Sequence, residues 1–281
     1  MSDETVDGKQ PVIVTKVEYK GTKVSVLEDV YEPAEDTFLM ADCAVSEIAK
    51  LIPESNDDAL FEKIVNIEND DDEKIGNAGL GNTDGVGKIK NFDAFDFFDN
   101  FFAFEVGCGS GFVSAFIQNR FPDLHVSAVD INPNAVACAR MNGVRAFESD
   151  MFGVFEKPRH LRSIDTPVED AAPAKPPLGF DLIIFNPPYL PTSEDEKVSG
   201  MLNYAFDGGV DGRESINRFL NEVGDYLKDG GFFLLLISSI TGLDETAAEM
   251  ENCGFSTEVI GTTKCSFEEL MVLKGKRLSE S

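Results

Sequence analysis

From about residue 101 to residue 274, short apolar runs alternate with stretches of helical spacing. The runs are Phe101 to Val106, His125 to Asp130, Val144 to Ser149, Asp181 to Phe185 and Phe232 to Ile237. Each is strand length and nearly continuous in apolar residues, as expected of strands buried on both faces. Between them, Phe112 to Arg120, residues 212–228 and Leu243 to Asn252 carry apolar residues at helical spacing. Phe255 to Gly261 and Leu270 to Lys274 read as a closing antiparallel hairpin. Upstream, Val12 to Val30 alternates around Lys20-Gly21, the pattern of a hairpin. Residues 34–52 place Phe38, Val45, Ile48 and Ile52 on one helical face. Alternating strands and helices predict an α/β fold with a doubly wound, mostly parallel sheet.

Two stretches break the pattern. Residues 56–91 are rich in Asp, Asn and Gly and read as an inserted, disordered acidic loop. Residues 156–179 hold five prolines and read as a second surface insertion. Residues 1–10 are polar and read as a disordered N-terminus. The organisation expected is one domain over residues 11–281 carrying both insertions.

Charge narrows the possible partners. The chain carries a formal net charge of −27. Glu54 to Lys74 accounts for −7 of it, so −20 is spread over the rest. Nucleic acid is bound by neutralising phosphates with Lys and Arg, so this balance argues against direct binding to it. The same charge also serves solubility. Cys43, Cys108, Cys138, Cys253 and Cys265 are scattered and odd in number, which suits a reducing compartment. With only His125 and His160 beside them, no metal site is expected. The N-terminus lacks a signal peptide's basic and apolar regions, and no run nears the ~20 apolar residues of a membrane span. The expected location is cytoplasmic, with the nucleus as a second compartment.

The chemistry concentrates at strand ends. After Phe101 to Val106 come Gly107, Gly109 and Gly111, then a helix start, where backbone can approach a ligand closely. Glu105 stands just before the glycines. The spacing Gly-x-Gly-x-Gly lacks the third glycine of the dinucleotide fingerprint. About twenty residues on, Asp130 ends the second strand, where an acid can hold both hydroxyls of a ribose. Asp150 follows the third strand and can meet an adenine amino group, or cap the next helix. Met151 can pack on that base, or fill core. Acid-tipped strands without a phosphate-binding base suit a cationic, phosphate-free ligand such as S-adenosylmethionine. The fourth strand delivers Asn186-Pro187-Pro188-Tyr189. Its Asn oxygen and a main-chain carbonyl can each accept one N–H of a planar NH2 group. The prolines fix φ and donate nothing, and Tyr189 can stack on the group held. Such a turn also ends strands that bind no ligand.

These motifs resemble the HemK-like protein-glutamine N5-methyltransferases, in the eukaryotic and archaeal branch acting on the class-1 translation termination factor. The resemblance rests on Val30-Tyr-Glu-Pro-Ala-Glu-Asp-Thr-Phe38, Glu105-Val-Gly-Cys-Gly-Ser-Gly111, Asp130-Ile-Asn-Pro133, Asn186-Pro-Pro-Tyr189 and Asp207-Gly-Gly-Val-Asp-Gly-Arg213. It spans Val30 to Lys274, interrupted by the two insertions. It implies the class I S-adenosylmethionine-dependent methyltransferase fold, with strand order 3-2-1-4-5-7-6. It implies a cofactor site of Thr37, Glu105, Gly107, Gly109, Asp130, Asp150, Met151 and Asn186. Glu105 would face the methionine amino group, and Thr37 would touch the methionine end. Thr37 could equally cap a helix, with Asp36 competing for that role. Asn186, Pro187, Pro188 and Tyr189 would hold the substrate. Asn186, Pro187 and Tyr189 would carry the chemistry, and the Asp207 to Arg213 turn would shape the mouth. The implied partners are a small zinc-binding activator subunit, in a heterodimer, and the termination factor as substrate. Asn-Pro-Pro-Tyr is shared with DNA adenine methyltransferases. An adenine-N6 methyltransferase therefore stands as an alternative; so does a histone-lysine methyltransferase, an activity assigned to relatives that an acidic surface would help, beside a cofactor-binding scaffold without catalysis.

Overall fold

Apolar runs and helical stretches fold almost where the pattern puts them. A computed structural model describes residues 12–52, 100–156, 176, 178–189, 208–209, 211–265 and 267–278. The elements are β1 (Ile13–Tyr19), β2 (Thr22–Leu27), α1 (Glu35–Ala49), β3 (Phe102–Val106), α2 (Phe112–Arg120), β4 (His125–Asp130) and α3 (Pro133–Met141). They continue with β5 (Ala146–Glu148), α4 (Gly153–Glu156), β6 (Phe180–Phe185), α5 (Glu214–Val223), β7 (Leu227–Ser238), α6 (Leu243–Asn252), β8 (Phe255–Lys264) and β9 (Glu269–Arg277). The N-terminal stretch of residues 1–10 and most of both expected insertions lie outside the described residues.

One seven-stranded sheet runs in the order β5-β4-β3-β6-β7-β9-β8. Counted along the chain within that sheet, this is 3-2-1-4-5-7-6. The pairs from β5 through β7 are parallel, and β9 runs antiparallel to both β7 and β8. It is the class I S-adenosylmethionine-dependent methyltransferase fold. The chain leaves β3 for β4 on one side and reaches β6 on the other. The crevice at their C-terminal ends is therefore the topological switch point, where ligands bind in open α/β sheets.

Strand alternation splits the core in two. Along β6, Leu182 and Ile184 face α1 and α2, where they join Met40, Ile48 and Phe116. Ile183 and Phe185 face the other way and join Phe219, Leu220 and Val223 of α5. Successive side chains on a strand point to opposite faces, so an unbroken apolar run feeds both layers. Burying each such side chain contributes roughly 1.5–3 kcal/mol.

Local departures from the pattern have local causes. Asp229-Gly230-Gly231 lies inside β7 at a register shift, between the pairings of Phe180 with Leu227 and of Leu182 with Phe232. Two steps along β6 match five along β7, so the irregularity absorbs three extra residues without ending the strand. β5 is only three residues, shorter than the expected Val144 to Ser149. Residues 224–226 leave the helix of α5 as a 3₁₀ turn.

The N-terminal hairpin is fastened over the sheet's ligand edge. Lys20 and Gly21 both take positive φ, 43° and 77°, the geometry of a tight two-residue turn. Asn142 accepts from Ser25 N–H at 2.9 Å and donates to the Ser25 carbonyl at 2.8 Å. Tyr19 stacks on Phe38 of α1 at 4.3 Å. These contacts carry the segment from Asp29 to Thr37 across the crevice.

Candidate active site

A cavity of about 640 Å³ opens at the C-terminal ends of β3, β4 and β6. Thr37, Glu105, Gly107, Gly109, Asp130, Asp150, Met151, Asn186, Pro187, Pro188 and Tyr189 all line it. Tertiary folding thus gathers every residue expected to bind or react, from five separate segments.

The β3 end builds one wall. Gly109 and Gly111 take φ of 52° and 79°, left-handed values that suit glycine. A Cβ on Gly111 would also lie 2.8 Å from that of Ala139. Glu105 is 4% exposed, and one of its oxygens accepts the Ser114 N–H at 3.1 Å and the Ser114 hydroxyl. Burial pushes its carboxyl up to about 8, and the Asp130 charge adds to this against the pull of Ser114.

The β4 end supplies Asp130. Its Oδ2 accepts the Gly109 N–H and its Oδ1 the Asn132 N–H, both at 2.8 Å. Burial nevertheless holds its carboxyl above the usual carboxylate range. Each oxygen keeps acceptor capacity for a further donor. Asn132 caps α3 by accepting from Asn134 N–H at 2.9 Å and donates to the Asp29 carbonyl at 2.8 Å. Beyond β5, Met151 has φ 45°, which is rare outside glycine and marks a constrained turn. Asp150 meets Arg218 of α5 through both oxygens, at 2.7 and 2.8 Å. An incoming amino group would share that carboxylate with the guanidinium.

The β6 end supplies the Asn-Pro-Pro-Tyr turn. Asn186 Nδ2 donates to Asp36 Oδ2 at 2.9 Å, while Asn186 Oδ1 is buried and has no partner among the described residues. The Pro188 carbonyl already accepts one bond, from Ser215 Oγ at 3.1 Å. Gly208 and Gly212 pass against the Pro188 and Tyr189 carbonyls, so closely that any Cβ there would collide. Gly208 and Gly212, from the glycine-rich turn expected to shape the mouth, thus pack directly on the Asn-Pro-Pro-Tyr turn. Burial and the charges of Asp36 and Glu268 hold the Tyr189 phenol well above its usual range, so it stays protonated.

Thr37 and Asp36 do not cap α1: the N-cap is Ala34, with no side-chain cap bond. Asp36 is 4% exposed, and its Oδ1 accepts from Thr37 N–H, Thr37 Oγ1 and Tyr31 OH at 2.7–3.2 Å. Sequence reading gave Asp36 no part in the site, and likewise Tyr31, Ser114, Ser215 and Arg218. Asp36, Arg218 and Ser215 meet Asn186, Asp150 and Pro188 from 150, 68 and 27 residues away, which leaves no local signal, whereas Tyr31 and Ser114 lie only five and nine residues from Asp36 and Glu105.

The donor set fits S-adenosylmethionine. A buried carboxylate at Glu105, a half-buried one at Asp130 and the Asn186 amide line one cavity of suitable size for a cationic nucleoside. The methyltransferase small domain family matches residues 99–264. A chain of Methanocaldococcus jannaschii named as a protein N5-glutamine methyltransferase is 33% identical over 268 residues, covering 93% of this chain and 99% of that one. The eRF1 methyltransferase catalytic subunit mtq2 of Schizosaccharomyces pombe is 24% identical over 267 residues, covering 92% and 94%. Among solved structures, an E. cuniculi Mtq2–Trm112 complex, described as responsible for methylating the eRF1 translation termination factor, matches with a TM-score of 0.48 at 20% identity. That match covers 89% of this chain and 99% of the other. The chain belongs to the methyltransferase small domain family, as an S-adenosylmethionine-dependent member of the HemK-like protein-glutamine N5-methyltransferases.

Proposed function

We propose that this chain methylates the side-chain amide nitrogen of the glutamine in the Gly-Gly-Gln loop of a class-1 translation termination factor. It would act in the cytoplasm as the catalytic subunit, beside a small zinc-binding activator. The observation that carries this reading is Asn186 on the cavity wall, whose buried Oδ1 has no partner among the described residues. A buried, unsatisfied acceptor costs about 1–3 kcal/mol, and a substrate N–H relieves that cost. The relatives' names support both the substrate and the existence of a second subunit.

S-adenosylmethionine supplies an electrophilic methyl group. Asn186 Oδ1 accepts one hydrogen of the substrate NH2 and the Pro187 carbonyl accepts the other, which orients the nitrogen. Amide nitrogen is a poor nucleophile because its lone pair is delocalised into the carbonyl. Both bonds strengthen as positive charge develops on nitrogen, so they favour the transition state over the ground state. The methylated nitrogen then sheds its proton readily, without a strong base. Tyr189, held as a phenol, stacks on the amide. Asp130 takes the ribose hydroxyls and Glu105 the methionine amino group, with Thr37 beside it. Asp150 and Met151 take the adenine.

The test is direct. The full chain, its activator and the termination factor are incubated with labelled cofactor, and the label is located by mass spectrometry. Label on the loop glutamine is expected. Label on a lysine, or on adenine in added nucleic acid, would overturn the substrate assignment.

A further inference from the structure

An amide is asymmetric: one end donates and the other accepts. For Asn186 to receive a substrate NH2, its oxygen must face the cavity and its own NH2 must face away. What lies behind it decides this. Asp36 Oδ2 stands 2.9 Å from Asn186 Nδ2. Asp36 Oδ1 is met by three donors, from Tyr31 and Thr37. A carboxylate accepts and does not donate, so only the NH2 end of Asn186 can turn toward it. Asn186 lines the cavity, and its oxygen is buried and without a partner among the described residues.

We infer that Asp36 is a positioning residue, whose carboxylate fixes the amide orientation of Asn186 so that the site presents an acceptor to the substrate NH2. The inference rests on Asn186 being the amide's acceptor. Freed of Asp36, the Asn186 amide can turn by 180° and present donors to a donor. Thr37, next in the chain, keeps its place on α1, so the effect falls on the acceptor side of the cavity. An acid in the first turn of a helix also favours the helix dipole, and that purely structural role predicts different behaviour.

The decisive substitution is Asp36→Asn. Its oxygen stays committed to the three donors from Tyr31 and Thr37, so its NH2 faces Asn186. Asn186 must then turn its oxygen inward and its NH2 to the cavity. Single-turnover rates at saturating cofactor, using the full chain with its activator and the termination factor, should fall about 10- to 100-fold. Asp36→Ala should fall by a similar factor, and cofactor affinity should be little changed in Asp36→Asn, which keeps its acceptor toward Tyr31 and Thr37. In an Asn186→Ala background neither Asp36 substitution should cost anything further, because the group it acts through is gone. Asp36→Asn combined with Asn186→Asp restores an acceptor facing the cavity and should run at least about tenfold faster than Asp36→Asn alone. Losses that simply add, or no rescue by the exchanged pair, would show that Asp36 only supports the fold.

A turnover-free readout separates this from the substrate assignment. In nitrogen-15 spectra of the wild-type chain, the Asn186 side-chain amide should show one proton shifted downfield and slow to exchange. Asp36→Asn should abolish both features. An unchanged signal overturns the inference even if glutamine is the acceptor. The expected change upholds it even if the label lands elsewhere.

Discussion

Two acceptor residues line the cavity, and they are held by different means. Asp130 is gripped by backbone N–H groups, from Gly109 in the neighbouring turn and from Asn132 two residues on. Asn186 is gripped by one side chain, Asp36, 150 residues away. A carboxylate is symmetric, so Asp130 needs only to be placed. A carboxamide has two unlike ends, so Asn186 needs to be placed and oriented. Backbone donors persist through most substitutions of the residues that carry them. A side-chain partner does not. The substrate side of this site is therefore the more easily broken half.

The comparison breaks most sharply at Asn186 itself. Asn186→Ala should lower single-turnover methyl transfer by about 10²–10³, the usual loss of a transition-state contact, and weaken cofactor binding far less. Near-normal glutamine methylation would mean the amide is held elsewhere. Asp130→Ala should show the opposite split. Two hydrogen bonds to a charged group are worth about 2–4 kcal/mol, so cofactor affinity by calorimetry should fall about 10²-fold with the fold intact.

A smaller effect should appear with pH. The Glu105 carboxyl stands at about 8, raised from 4.5 chiefly by burial. Its protonated form suits the empty fold, so its contribution to stability is full below 4.5 and is lost as pH rises toward 8. A cationic ligand reverses the preference. Cofactor binding should release a proton below about pH 8, and affinity should rise about tenfold or more from pH 6 to 8. Calorimetry in buffers of different ionisation enthalpy measures the proton. Asp130, also raised by burial, titrates in the same sense, so Glu105→Gln should reduce the release rather than abolish it. The mildest change is Ser215→Ala, which removes the hydroxyl donor to the Pro188 carbonyl. A neutral hydrogen bond nets about 1 kcal/mol, so turnover should drop only about fivefold. An unchanged rate would show that the second proline's carbonyl needs no support.

The predicted site residues were legible because strand ends are local features. Glu105, Asp130 and Asn186 each close an apolar run that reads as a buried strand, and a parallel sheet brings such ends to one edge. The stretches Asp181 to Phe185 and Leu243 to Asn252 could be bounded nearly to the residue for the same reason. The bulge in β7 could not, because Gly230-Gly231 reads equally as a turn, and only pairing with β6 keeps the strand going. Arg218 on Asp150 and Ser215 on Pro188 were invisible too. Both come from α5, whose approach to the crevice follows from packing Phe219 and Leu220 against the sheet.

By itself the sequence determined which segments become strands and helices, which acids sit at strand ends, and that one turn carries a rigid pair of prolines beside an amide. Those follow from periodicity and residue type, which act over a few neighbours. Only the tertiary structure decided that the segment before α1 crosses the crevice and sets Asp36 behind Asn186. A hydrogen bond over 150 residues leaves no periodic trace in the chain, and the choice of which end of an amide faces the substrate is made by that bond alone.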